Sequence, residues 1–378
     1  MKLVYFTVAV TIALSFSSCR KKGCTDPDAL NYSEEAKKDD GSCFYELYTI
    51  PATYSFSDNS GNNTVNYSGQ TDRLNQLREM ITYAEGGETS AISAQVLKDM
   101  FQNTNGNGNG NFSFSSVKQL KDKCFVLDVP MIESFFDSIS LASVSYAQTA
   151  SNGQAGTLTS GTSTYLFSRY GFDYAEMIEK SIMGSVFMYQ ALNIYFGTDK
   201  MNVDNTTAVD PANGAYYTLM EHHWDEAFGY FGVPINYPAS TYDDFWSEYC
   251  AAVNPILNSN ADIMNNFKKG RAAIVAKVYP DRDAAILAIR NEWESISAYA
   301  AMNYIDEAIA DFGVDNAKFL HHLSEAYAFC WNLRYVPDET RNMTQTEHAA
   351  LMALFETNFW NMSVDDLNNI KSALDNKY

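Results

Sequence analysis

The stretch PDRDAAILAIRNEWESISAYAAMNYIDEAIADFG, Pro280 to Gly313, keeps a helical pattern for about 30 residues and stops only at its glycine. Such a run fits no β architecture, and its neighbours read the same way. Residues 173–196 have almost no breakers and open on Asp173, a good N-cap. Residues 216–232 end at Gly232 with Pro234 just beyond, and residues 315–337 start on an Asp cap and end at Pro337. Thr344 with Glu347 makes a capping box, and Ser363 with Asp366 gives a similar signal.

The first half is less regular. Leu74, Leu77, Met80 and Ile81 mark a helix stopped by Gly86-Gly87, and residues 90–104 predict a second. Residues 115–124 and 130–148 predict two more, the latter opened by Pro130. NTNGNGNGNF, residues 103–112, reads as a flexible loop, and residues 149–164 as another. Residues 47–69 predict one short hairpin. The expected fold is all-α: a multi-helix bundle of about ten helices, with strands only near its start.

Composition bears on partners. The formal net charge is −20, without the basic clusters that phosphate binding needs, which excludes nucleic acid as a partner. Apolar residues make up 46%, enough for a sizeable core, and 25 Tyr and 23 Phe residues recur in the helical patterns that would fill it.

Four of the five histidines fall in two stretches of one pattern, His-His-x-x-Glu-Ala. The first holds His222, His223 and Glu226; the second holds His321, His322 and Glu325. On a helix, side chains at i and i+3 share a face, so His-x-x-Glu is a two-ligand unit for a metal ion. His223 falls at the edge of the stripe Tyr216, Met220, Trp224, Ala227 and Phe231, with Glu226 one turn on. In the second stretch Phe319, Leu323, Ala326, Cys330 and Leu333 form the apolar face, and Glu325 lies between the two histidines. His223 and Glu226 are the first candidates as ligands; His222, His321, His322 and Glu325 are the second. With Glu176, Glu179, Glu292 and Glu294 on the neighbouring helices, a carboxylate-bridged di-metal site is an alternative, although the usual Glu-x-x-His order is reversed. A second alternative is that both pairs only fix helix register. No Ser/His/Asp or Cys/His arrangement is readable, and no catalytic residue is assigned.

The start of the chain resembles a bacterial lipoprotein signal: Lys2, the apolar run LVYFTVAVTIAL, then SFSS before Cys19. The resemblance implies a signal peptide over 1–18, a lipid on Cys19, and an outer-membrane protein facing the periplasm or the cell surface. GCTDPDALNYSEEAKKDDGSC, ending at Cys43, is similar to a Cys-bracketed segment of exported proteins of marine Bacteroidetes, and it implies a Cys24–Cys43 disulfide in a lipid-anchored segment over 19–44. Cys124, Cys250 and Cys330 are left over, so at least one is expected as a buried free thiol.

Residues 45–378, with IEKSIMG followed by EHHWDEAFGYFG, resemble a family of Bacteroidetes lipoproteins similar to the imelysin-like group. That group is helical, exported and associated with iron or haem uptake. His223 and Glu226 match the last two positions of its Gly-x-His-x-x-Glu motif, with Glu221 in place of the glycine. The resemblance implies an imelysin-like bundle, with two packed four-helix units as one arrangement. It implies iron, haem or zinc as the bound species and an outer-membrane transporter as partner. A lipoprotein with a structural or interaction role and no metal stands as the other class of function.

Cys19 is expected to be acylated. Labelling with a fatty acid in the native host should tag the wild type and miss Cys19→Ala; equal labelling of both would refute the anchor.

Overall fold

The computed structural model describes residues 21–27, 29–44, 48–242 and 244–378. The signal segment 1–18 and Cys19 lie outside the described residues. The chain divides into two compact units, Met1–Thr49 and Ile50–Tyr378.

In the first unit Cys24 and Cys43 form the expected disulfide. Two short strands, β1 (Lys22–Gly23) and β2 (Lys38–Asp39), pair in parallel. Asn31 donates to the Ser42 carbonyl at 2.6 Å and accepts from the Phe44 amide at 3.1 Å, which closes the loop next to the disulfide. The acidic turn uses its own side chains: Asp39 accepts from the Gly41 amide and Asp40 from the Ser42 amide.

The second unit is a multi-helix fold. The early helices are α1 (Ser68–Glu85), α2 (Ala94–Phe101) and α3 (Val129–Ser143). The long helix follows, beginning as α4 (Tyr174–Ile182) and continuing with π winding over Met183–Met188 and Gln190–Tyr195. Asp173 caps it by accepting from the Ala175 amide. Then come α5 (Thr198–Met201), α6 (Leu219–Phe231), α7 (Phe245–Leu257) and α8 (Ser259–Ala276). The 33-residue α9 (Tyr279–Asp311) is the longest of the twelve described helices. Last are α10 (Asn316–Asn332), α11 (Gln345–Met352) and α12 (Val364–Asp375). Both expected capping boxes are formed, and Gly232 ends α6 at φ 76°, where a glycine meets no steric cost. No described helix is long and apolar enough to cross a membrane.

Helix α9 is the central member, packed on α7, α8, α10 and α12. Helix α10 lies between α9 and α4, so its polar side is as buried as its apolar side. Ser324 and Asn332 are fully buried there, and Glu325 is 3% exposed. Helix α6 packs on α1, on α8 and on the π-wound end of the long helix. Its Trp224 lies on Gly270 of α8 so closely that a Cβ there would sit 2.0 Å from the indole. Cys124, Cys250 and Cys330 are all free and buried.

Strand placement differs from expectation. Within residues 48–69 the expected hairpin is reduced to one antiparallel bridge, Ser57 with Asn63, flanked by bonds from the Asp58 amide to the Asn62 carbonyl and from the Thr64 amide to the Phe56 carbonyl, and Asp58 satisfies the turn by accepting from the Ser60 and Asn62 amides. Two longer hairpins lie mid-chain. Strands β3 (Gly156–Ser160) and β4 (Ser163–Phe167) pair antiparallel, largely in the segment expected as a loop. Strands β5 (Ala208–Asp210) and β6 (Ala215–Thr218) also pair antiparallel, and β6 takes residues 216–218, expected to begin a helix. The Thr-rich strands GTLTS and STYLF flank Gly161, which supplies the positive φ of a tight turn. Residues 115–124 contain only the short 3-10 turn Lys121–Lys123, not a helix. The Asn/Gly run is folded into two 3-10 turns, with Asn103, Asn105 and Asn109 at positive φ. It is held by Asn103, which donates to the Ser116 and Lys118 carbonyls.

The fifth histidine, His348 on α11, is buried and donates from Nε2 to the Cys330 carbonyl at 3.1 Å. Burial lowers its pKa to about 4; Arg334 and Arg341 reinforce the shift and the carbonyl bond opposes it. The unfolded chain therefore takes up a proton near pH 6.5 that the folded chain refuses until about pH 4. This stability is fully present above pH 6.5 and falls as pH drops, by about 3 kcal/mol in total. His348→Gln should flatten that part of a urea-unfolding profile measured from pH 7 to 4; an unchanged slope would contradict the assignment.

Candidate functional site

The two His-His stretches meet opposite ends of one long helix. His321 and Glu325 face Asp173, Glu176 and Lys180 at its start. His223 and Glu226 face Tyr195 at its π-wound end. About nineteen residues of helix separate Glu176 from Tyr195, roughly 25 Å, so the stretches cannot ligate one ion together.

At the far end, His223 Nδ1 lies 3.2 Å from Glu226 Oε2. The other Glu226 oxygen accepts from Tyr195 at 3.0 Å and from Gln70 at 3.2 Å. These bonds and His222 outweigh the effect of burial and lower the Glu226 pKa. His222 donates from Nδ1 to the Asn66 carbonyl at 3.1 Å and stacks on Tyr217. The flanking acids of α6 are already engaged. Arg271 of α8, fully buried, donates to Glu221 at 2.8 Å, to Asp225 at 3.0 Å and to the Thr64 carbonyl at 3.1 Å. Tyr54 and the Asn66 amide also bond Asp225. His223 and Glu226, the first candidates, thus form a hydrogen-bonded pair joining α6 to α1 and the long helix, and among the described residues they belong to no set of three ligand side chains within 4.8 Å of one another.

The near end is different. Asp173 Oδ2 lies 3.1 Å from His321 Nδ1, and Glu176 Oε1 lies 4.0 Å from the same nitrogen. Among the described residues, Asp173, Glu176 and His321 are the one set of three or more such side chains whose ligand atoms all fall within 4.8 Å of one another. A tetrahedral ion bound at about 2.1 Å holds its ligand atoms about 3.4 Å apart, so the set needs only small adjustments. The second nitrogen of His321, Nε2, lies 3.4 Å from Glu325 Oε2. A carboxylate on the far nitrogen is how proteins fix the tautomer and direction of a ligating histidine. Glu325 stands on that far side of His321 and lies outside the set of three. His322 points elsewhere, 3.3 Å from Glu307, and 3.0 Å from Asp311 without the alignment of a hydrogen bond.

The group that organises this end is Lys180, which the histidine pattern does not indicate. Its side chain is 4% exposed, and its ammonium reaches Glu176, Glu179 at 2.9 Å and Glu325 at 3.2 Å. The helix changes winding just beyond it. Asn332 of α10 donates to the Lys180 carbonyl at 2.9 Å, and Gly184 leaves room for that side chain, since a Cβ there would lie 1.9 Å from Asn332 Oδ1. A side chain inserted into the helical ladder is a common cause of π winding, which is frequent at functional sites.

Burial alone would raise the Glu176 pKa, yet Lys180 and His321 hold it at about 2. Burial also opposes charge on His321, but Asp173, Glu176 and Glu325 raise it to about 9. Burial raises Glu325 to about 8, with Lys180 opposing and Glu176 assisting. Glu88, raised by burial to about 7, feels Asp173 and Glu176 from outside. The site thus keeps one ligand ionised at every ordinary pH and surrounds it with further acids.

Residues 51–378 match the family DUF4856, a domain of unknown function. No curated protein and no solved structure matches the chain.

Lys180→Met would leave buried Glu325 and half-buried Glu176 and Glu179 without their cation. It should destabilise the fold by about 3–5 kcal/mol in denaturant unfolding, and a loss below about 1 kcal/mol would show that the cluster is not held together by Lys180.

Proposed function

This chain belongs to the DUF4856 family, and we propose that it is an exported, lipid-anchored protein that binds a divalent transition-metal ion, iron or zinc, for uptake. The observation that carries the reading is the spacing of Asp173, Glu176 and His321. Two carboxylates and one imidazole suit iron, manganese or zinc. Lys180 bonds one oxygen of Glu176 and leaves Oε1 turned toward His321, so that ligand needs no deprotonation before it binds. Glu325 would keep the proton on Nε2 of His321, while Nδ1 would release its own proton to solvent and offer the freed lone pair to the ion.

Haem fits less well. The cavity beside the ligands is faced by Glu176, Glu179, Glu248, Glu307 and Glu325, which would repel the propionates of a porphyrin. Export is supported by the lipoprotein-type signal before Cys19 and by the Cys24–Cys43 disulfide, which suits an oxidising compartment. The likeness to imelysin-like proteins and a transporter as partner rest on the sequence resemblance.

Metal analysis of the mature chain, equilibrated with Fe²⁺ or Zn²⁺ and desalted, should find about one ion per chain. His321→Ala and Asp173→Asn should each lower affinity at least about a hundredfold, Glu325→Gln about 10- to 100-fold, and His223→Ala should leave it unchanged. Stoichiometric metal that survives both ligand variants, or no bound metal at all, would overturn the proposal.

A further inference from the structure

Next to the metal ligands, helices α4, α7, α9 and α10 enclose a cavity of about 420 Å³. Its floor is buried: Lys180, Tyr249, Ala300 and Glu325 are no more than 4% exposed. Its rim is open, with Glu248, Ala252 and Glu307 at the surface. A single ion uses only a few ligand atoms, whereas cavities of about 300–1,000 Å³ hold small organic molecules, and clefts between bundle helices are a usual place for them.

The lining chooses the charge of the guest. Five glutamates face the space, against Lys180, His321 and His322. A primary ammonium has three donors; Lys180 uses two on Glu176 and Glu179, and the Glu325 carboxyl lies 3.2 Å away as a third acidic neighbour. The charge of Lys180 is thus already surrounded by acids rather than offered to an anionic ligand. It does show what the wall accommodates, because a primary ammonium is held out of water there by carboxylates and lies 5.4 Å from the ring centroid of Tyr249. Tyr304 lines the space as a second ring. The exposed acids at the rim draw cations toward the opening.

We infer that this cavity binds a small organic ammonium ion, a primary amine or diamine, which enters past Glu248 and Glu307 and rests its charged end against the carboxylates and tyrosine rings. Glu176 and His321 belong both to the metal set and to the cavity wall, so the two readings are separated by residues that only one of them uses. Asp173 is not part of the cavity lining, and Ala252, Tyr304 and Glu307 are not among the metal ligands.

The test uses the mature chain, stripped of metal with EDTA and titrated calorimetrically at physiological salt. The probe is 1,4-diaminobutane, with n-butyrate as the anion of matched length. The diamine should bind saturably at one site per chain, and butyrate should not bind. Ala252→Trp, an exposed position that would block the opening, and Glu307→Gln should each weaken the diamine at least about tenfold, while Asp283→Asn, at an exposed acid near the other end of α9, should leave it unchanged. Absence of saturable binding, many weak salt-sensitive sites, butyrate binding as tight as the diamine, or full affinity in Ala252→Trp would each overturn the inference.

Discussion

The Lys180 ammonium is the contact on which the Asp173 end of the long helix depends. A charge with a side chain only 4% exposed is costly to desolvate, and convergent carboxylates must recover that cost. Glu176 and Glu179 come from its own helix, and Glu325 comes from α10. The two helices are thereby held in one register, and Asn332 repeats the link through the Lys180 carbonyl. Everything at this end takes its position from that register. His321 stands opposite Asp173 and Glu176 because Glu325, one turn further along α10, is bound to Lys180.

Two copies of His-His-x-x-Glu-Ala do different work because their neighbours differ. Glu226 meets neutral donors and two imidazoles, one of them hydrogen-bonded, so its oxygens are satisfied within the fold. Glu325 meets a lysine, and its histidine meets two further carboxylates from the long helix. Even the histidine positions are not equivalent. His223, the second of its pair, holds Glu226, whereas His321, the first of its pair, approaches Glu325. The acids around His222 and His223 serve Arg271, whose bonds to α6 and to the Thr64 carbonyl fasten the extended segment before α1. A polar cluster this buried and this fully bonded is a structural joint, and it leaves no oxygen turned toward a ligand.

How much of this was legible in the sequence follows from the range of each interaction. Asp173 as a cap, Asp315 as a cap, the boxes at Thr344 and Ser363, and the stop at Gly232 depend on bonds within a few residues, so they stand in the chain as local patterns. The box formed by Thr218 and Glu221 is of the same kind, and its spacing was there to be found. The short strands around Gly161 were hidden because Thr and Ser serve loops and edge strands alike. The expected helix over 115–124 failed because Gln119 and Lys118 instead give their carbonyls to Arg73 and Gln76 of α1.

The all-α class, the capped helix ends and the pairing of His with Glu in two stretches were determined by the sequence alone, through periodicity and capping, and the Cys24–Cys43 bridge was implied by the resemblance of its Cys-bracketed segment. The tertiary structure alone decided which histidine meets which acid. Asp173 and His321 are 148 residues apart, and nothing near either one specifies the other. Their meeting depends on the packing of α10 against α4, on the winding change that Asn332 and Gly184 allow, and on a buried lysine whose partners come from two helices. Local bonds are written into neighbouring residues, whereas convergence across a core emerges only when whole helices have found their register.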